Sequence, residues 1–184
     1  MDATYEALLR YGYADLSISR IADEFGKSKS SLYYHYDSKD ELLLALLEFA
    51  TDRFEATVAT EADDPDDELE QVIETLLPLE LDEEERQLQR VLIDLRSRSV
   101  TNDDFRAKFS SIDDRLVGTV RRSIDQGIDE GVFRDVDSTR VAEHIIALIN
   151  GAMLERTTTD RENAAGAVRR SLSAYIDSEL RKEL

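Results

Sequence analysis

Ten candidate contact residues, all with side chains able to donate hydrogen bonds, fall within twenty-three positions: Ser17, Lys27, Ser28, Lys29, Ser30, Ser31, Tyr33, Tyr34, His35 and Lys39. A lysine can donate to O6 and N7 of guanine, and a serine hydroxyl can donate or accept at several base edges. Tyr33, Tyr34, His35 and Lys39 are each able to donate to phosphate oxygens. Ser17 and Ser28 stand where helix N-termini offer free backbone N–H groups to an anion. Such residue types point to recognition of a nucleic-acid duplex, not to bond making.

The elements that must position them follow from the apolar spacing. Ser17 is suited to cap a helix, and Ile18, Ile21, Ala22 and Phe25 follow at helical intervals. Gly26 stops that helix, and Ser28 caps a second one, anchored by Leu32 with Tyr33 and Tyr36 beside it. Helix, short glycine-containing turn, helix is the helix-turn-helix pattern, whose second helix enters the DNA major groove. In it, Lys29, Ser30 and Ser31 occupy the first turn of the second helix, which meets base edges. A plain helical hairpin would explain the apolar anchors but would leave the polar and basic face arbitrary.

Gly12-Tyr13, Ser17-Ile18, Ile21-Ala22, Gly26, Ser28, Leu32-Tyr33, His35-Tyr36 and Ser38-Lys39 together resemble the N-terminal domain of the TetR family of transcription regulators over roughly residues 3–47. The resemblance implies a three-helix DNA-binding domain and a larger all-helical domain. It also implies a homodimer on a palindromic operator, released from DNA by a small-molecule effector. Lys27 stands where the family usually has an apolar residue, and Ser30 where it often has Gly or Ala. More loosely, Asp125–Phe133, Ile149-Asn150-Gly151-Ala152 and Ala174-Tyr175-Ile176 are similar to the C-terminal domain of the betaine-regulator-like branch.

Composition narrows the setting. The 184 residues suit one or two small domains, and with no cysteine there is no disulfide and no thiol chemistry. No apolar run approaches the roughly 18 residues of a membrane span, and the acidic N-terminus does not read as a signal peptide. A cytoplasmic protein with no membrane partner is expected. The net charge of −18 opposes DNA, but residues 26–39 carry Lys27, Lys29 and Lys39 against Asp37 alone. Abundant Asp and Glu with only five lysines resembles proteins of organisms that keep molar salt in the cytoplasm. At about 1 M salt the Debye length is roughly 3 Å, so long-range repulsion from DNA nearly vanishes.

The fold expected is all-α, with about nine helices. Tyr5, Leu8 and Leu9 give the first helix, about residues 2–11, which Gly12 ends. Ser38 and Glu41 form a capping box that opens a long helix over about residues 39–60. Pro65 follows an acidic turn and opens a helix that Pro78 ends or kinks; Asp82 opens another; Asn102 caps a third that runs to about Gly127 or Gly131. Residues 138–154 are apolar nearly all round, so that helix must bury two faces. The next, about 161–180, is rich in small residues. The domains expected are a helix-turn-helix domain over 1–46 and a helical ligand-binding and dimerisation domain over 47–184.

Within the second domain, Phe54, Leu92, Arg96, Phe105 and Phe109 are the candidate pocket residues, each with core or surface as the plainer reading. Val141, Ile145, Leu148, Ala152, Val168, Leu172 and Tyr175 are the candidate dimer interface, as an isologous four-helix contact. His144 reads as an interface histidine rather than a ligand contact. No enzyme activity is expected: there is no glycine-rich phosphate loop, no cysteine, and no carboxylate paired with a base at a motif spacing. No cofactor or metal is expected, and the acidic runs read as solvated. The alternative to an effector-released repressor is a ligand-independent regulator or an activator using the same helix-turn-helix.

Overall fold

The computed structural model describes residues 1–25, 32, 34–58, 64–161 and 163–182, with the side chains of residues 2, 3, 25 and 58 left aside. Among these residues there are eight α-helices and no strand. They are α1 (Asp2–Asp15), α2 (Ile18–Phe25), α3 (Lys39–Val58), α4 (Pro65–Leu76), α5 (Glu83–Ser97), α6 (Asp103–Asp129), α7 (Ser138–Thr158) and α8 (Ala164–Glu179), with a 3-10 turn at Arg98–Val100. The second helix of the helix-turn-helix lies largely outside the described residues.

The chain forms two compact units, Met1–Phe54 with Asp82–Ile112, and Glu55–Leu81 with Asp113–Leu184. In the first, Ala7 and Leu8 of α1, Ile21 of α2 and Leu42, Leu43, Leu46 and Leu47 of α3 share one core with Val91 and Leu95 of α5 and Phe105 and Phe109 of α6. The spacing of the leucines on α3 is what puts them on one side. In the second, Leu69, Val72 and Ile73 of α4, Val120 and Ile124 of α6, Val141, Ile145 and Ile149 of α7, and Leu172 and Ile176 of α8 are buried. Helices α7 and α8 run antiparallel. Arg140 near the start of α7 donates to the Tyr175 hydroxyl at 3.5 Å near the end of α8.

The caps are largely those expected from the sequence. The Ser17 hydroxyl accepts from the Arg20 N–H at 3.2 Å, and Asn102 accepts from the Asp104 and Phe105 N–H groups. Asp64 accepts from Asp66 and Asp67 with Pro65 at the first helical position, and Asp82 forms a full capping box with Glu85. At α3 the box is displaced by one residue. Ser38 accepts from Glu41, but the Glu41 carboxylate reaches the Asp37 N–H at 2.7 Å.

Two boundaries differ from expectation. Gly12 breaks α1 without ending it: its backbone (φ 64°) takes the left-handed region open to glycine, and the chain then makes one more turn to Asp15. Helix α7 continues four residues past Leu154; the Thr159 N–H closes its last turn on the Glu155 carbonyl, and the Thr158 and Thr159 hydroxyls also donate back one turn. At the end of α6 a side chain on Gly127 would collide with the Phe133 ring, which the following turn folds back onto it.

Candidate nucleic-acid interface

Of the ten candidate contact residues, Ser17, Tyr34, His35 and Lys39 are described; Lys27, Ser28, Lys29, Ser30, Ser31 and Tyr33 lie outside the described residues. Tyr34 is 85% exposed, the barest large apolar side chain among the described residues. His35 is also exposed, and the two rings meet edge to face at 5.1 Å. Leu32 and Tyr36, by contrast, are half-buried against the first unit's core. One side of this short stretch is therefore anchored, and the other presents an aromatic ring and an imidazole to solvent. The Ser17 hydroxyl is used as a helix cap, so its role at a phosphate would fall to the backbone it orders.

Lys39 is differently placed from the free phosphate donor expected. It is half-buried at the first residue of α3, donates to the Tyr13 carbonyl at 2.9 Å, and stands 3.8 Å from the centre of the Tyr13 ring. Burial lowers its pKa from the ordinary lysine value, with Asp40 opposing that shift. The Arg98 guanidinium is also 3.8 Å from the Tyr13 ring centre, and the Tyr13 hydroxyl donates to Asp40 at 2.8 Å. Burial, followed by that hydrogen bond, pushes the Tyr13 phenol up to about 12. Tyr13 thus ties the end of α1 to the start of α3 and to the turn after α5.

The sequence reading did not find this joint. Tyr13 was visible as part of the family pattern, and Arg98 only as a cation near a helix end. No local spacing links residues so far apart. A second tie was also missed: the Tyr11 hydroxyl and Arg10 of α1 both donate to Glu24 of α2, and Arg20 lies over the Tyr11 ring at 4.9 Å. The first tie joins α1 to α3 and the turn after α5, and the second joins α1 to α2.

The five candidate pocket residues all fall in the first unit. Phe105 and Phe109 are buried in its core, Leu92 packs against that core, Phe54 is half-buried, and Arg96 lies 5.1 Å from the Phe109 ring centre. Of the seven candidate interface residues, Val141, Ile145, Ala152 and Leu172 are buried within the subunit and have no surface left for a partner. Leu148, Val168 and Tyr175 are half-buried. The face of α7 left exposed carries His144, Ala147, Gly151 and Leu154, and that of α8 carries Ala167, Ser171, Ala174 and Ser178. His144 packs on Tyr175 with ring centres 4.6 Å apart. Periodicity could not say which side of α7 the subunit keeps for itself.

Among the described residues no group of three His, Asp or Glu side chains gathers as a metal site, and no helix is long and apolar enough to cross a membrane.

Comparison with known proteins agrees with this geometry. The family described as bacterial regulatory proteins, tetR family, matches residues 1–46, and that described as BetI-type transcriptional repressor, C-terminal, matches residues 65–181. The structure of a TetR transcription regulator from Haloarcula marismortui is 36% identical, with a TM-score of 0.85 over 98% of this chain and 95% of that one. A transcriptional regulator from Saccharomonospora viridis, solved in complex with choline, is 27% identical with a TM-score of 0.76, covering 99% of this chain and 95% of its own. The HTH-type transcriptional repressor AcnR of Corynebacterium efficiens is 22% identical over 177 residues, which is 96% of this chain and 86% of that protein. The chain belongs to the TetR family of DNA-binding transcriptional regulators, with a BetI-type C-terminal domain.

Proposed function

We propose that the protein is a homodimeric repressor that reads a palindromic operator in the cytoplasm and leaves it when a small-molecule effector binds. Residues 1–46 are the DNA-binding part, and 47–184 the effector-binding and dimerisation part. The observation that carries the DNA reading is Tyr34, exposed on the outer side of a helix-turn-helix whose inner side is anchored. Tyr34 and His35 contact the duplex, with Lys27, Ser28, Lys29, Ser30, Ser31 and Tyr33 beside them. Lys39 acts mainly by holding the Tyr13 joint, with its two remaining N–H groups free for a phosphate. The name of the Corynebacterium relative supports repression, and the choline complex of the Saccharomonospora protein supports a small effector.

The dimer forms through the exposed faces of α7 and α8, where Ala147, Gly151, Ala167 and Ala174 allow close helix approach around a two-fold axis. Beyond its chain neighbours and the backbone of its own helix, nothing lies within 4 Å of where a Gly151 side chain would begin. A Gly151→Trp change therefore leaves the subunit folded and converts the dimer to a monomer in sedimentation velocity. A chain that stays dimeric would move the interface elsewhere.

High salt is the native medium of this acidic surface, in keeping with its Haloarcula relative. Its helicity falls in dilute buffer and is restored in molar KCl. The operator reading is tested by selecting bound sequences from random DNA in 1–2 M KCl and again in dilute salt. A palindrome is recovered, and Tyr34→Ala weakens or abolishes it while unfolding shifts by less than about 0.5 kcal/mol. Enrichment of no sequence in either salt would sink the reading.

A further inference from the structure

In the second unit, α4 and α8 enclose a groove of about 330 Å³, at the low end of the roughly 300–1,000 Å³ usual for small-molecule sites. Its apolar wall is made by Ile73, Leu172 and Ile176, all nearly fully buried, and by Leu79 at the rim. Leu79 is 59% exposed, a leucine left in water beside an apolar floor.

Three arginines line the same groove. Two are committed: Arg169 to Glu74 at 2.8 Å and to the Leu77 carbonyl, Arg181 to Asp66, Glu70 and Asp177. The third, Arg170, has no hydrogen bond, ion pair or aromatic partner among the described residues. Arg170 is exposed, so a ligand carboxylate can reach it. Its Nη1 lies 3.5 Å from where a Cβ on Gly166 would stand, so the guanidinium lies back over its own helix at the groove.

We propose that this groove binds an amphipathic monoanion, its carboxylate paired with Arg170 and its aliphatic body on Ile73, Leu79, Leu172 and Ile176. A guanidinium matches a carboxylate through two parallel N–H donors, a fit that survives salt better than a distant charge pair does. Arg169 and Arg181 are neutralised by their acids, and Glu70, which also lines the groove, by Arg181; the charge left to meet a ligand is that of Arg170, which repels a quaternary ammonium. A nucleic-acid phosphate has no use for the leucine and isoleucine wall. The site does not depend on the operator reading, because binding is measured on the protein alone, without DNA.

The test uses the full chain in the salt that keeps it folded, with three ten-carbon probes: decanoate, decanol and decyltrimethylammonium. Binding is followed by titration calorimetry below the micellar concentration. Decanoate binds saturably at one site per subunit, decanol at least about tenfold more weakly, and the cation not at all. Arg170→Glu weakens decanoate by about tenfold or more, Arg170→Lys retains part of the affinity, and Leu79→Asp weakens it as well. Arg170→Glu melts at the same temperature as the parent chain, since it gives up no contact among the described residues. Equal binding of all three probes, decanoate binding indifferent to Arg170→Glu, or no saturable decanoate binding would each overturn the proposal.

Discussion

The two units use their cations in different ways. All four cation–aromatic contacts among the described residues lie in the first unit: Lys39 and Arg98 on Tyr13, Arg20 on Tyr11, Arg96 on Phe109. Both units also hold ion pairs, Arg10–Glu24, Arg86–Glu83 and Lys108–Glu48 among those of the first and Arg115–Glu55, Arg169–Glu74 and Arg181 with three acids among those of the second, so what sets the first apart among the described residues is its ring contacts. A ring face attracts a cation at contact distance without neutralising it. A carboxylate attracts it from farther away but cancels its charge. The unit that carries the helix-turn-helix thus anchors several of its basic groups while leaving their positive charge in place. The second unit, holding most of an acidic surface, spends its arginines on tying helices together.

The comparison is broken most directly at Tyr13. Tyr13→Ala removes the face under both cations, the hydrogen bond to Asp40 and the volume of a half-buried ring. We expect a loss of about 3 kcal/mol in urea unfolding, from the cavity and the lost cation contacts together. Arg98 Nε, already buried without a hydrogen-bond partner, would lose its ring as well. A loss below about 1 kcal/mol would show the joint to be incidental.

The matching change in the second unit is Arg181→Ala. It frees Asp66 and Glu70 on α4 and Asp177 on α8, three carboxylates that then repel one another. The arginine is about a third exposed, which discounts the pairs, so we expect about 2 kcal/mol in the same unfolding measurement. Arg181→Met separates packing from charge: it restores the first and not the second. Full recovery of stability by Met would mean that the carboxylates contribute little.

Why one joint was legible and the other not is instructive. Ser17, Asn102, Asp82 and Pro65 announce helix starts because a cap acts within three residues of itself. The leucines of α3 announce a core for the same reason of short range. The Tyr13–Arg98 contact joins residues that only the packing of α1 against α5 brings together. The capping box at Ser38 slipped by one residue: the Glu41 carboxylate takes the Asp37 N–H, a choice that residue spacing alone does not make. For the candidate site, donor types and helical spacing singled out Tyr34 and His35, and both are exposed. Spacing could not reveal that Lys39 is turned onto Tyr13, nor that Val141, Ile145, Ala152 and Leu172 are consumed inside the subunit.

The phenol of Tyr13 gives the comparison a pH axis. Its pKa in the folded chain is raised to about 12, against about 10 unfolded. A raised pKa means that the folded state holds the proton more tightly. The stability it contributes is complete below pH 10 and is lost as pH rises from about 10 to about 12. The loss is of order 2 kcal/mol at most, and the lowered pKa of Lys39 opposes part of it. Tyr13→Phe keeps the ring under both cations and removes the ionisable group. Its stability should stay flatter across that range, measured against the parent chain in matched urea titrations. An equal decline in both proteins would assign the alkaline loss to other groups.

The smallest effect separates the two kinds of contact by salt. Arg20, half exposed over Tyr11, represents the first unit; Arg121, 3.6 Å from Asp125 one turn along α6, represents the second. Each alanine substitution should cost about 0.3–1 kcal/mol in moderate salt. Mobile ions gather around separated charges and screen them, with a Debye length of roughly 3 Å at 1 M. They cannot enter the space between a guanidinium and the ring it touches. Raising KCl from about 0.2 M to 2 M should therefore erase most of the Arg121 cost and, with the 4.0 Å Arg20–Asp15 pair removed from both chains by Asp15→Asn, leave the Arg20 cost nearly unchanged. If both fade together, the aromatic contacts are held by the same long-range field as the ion pairs. The distinction between the units then reduces to which partner happened to be nearby. If only Arg121 fades, contact with a ring is the means by which basic groups of the DNA-binding unit stay in place in a salt that silences ordinary pairs.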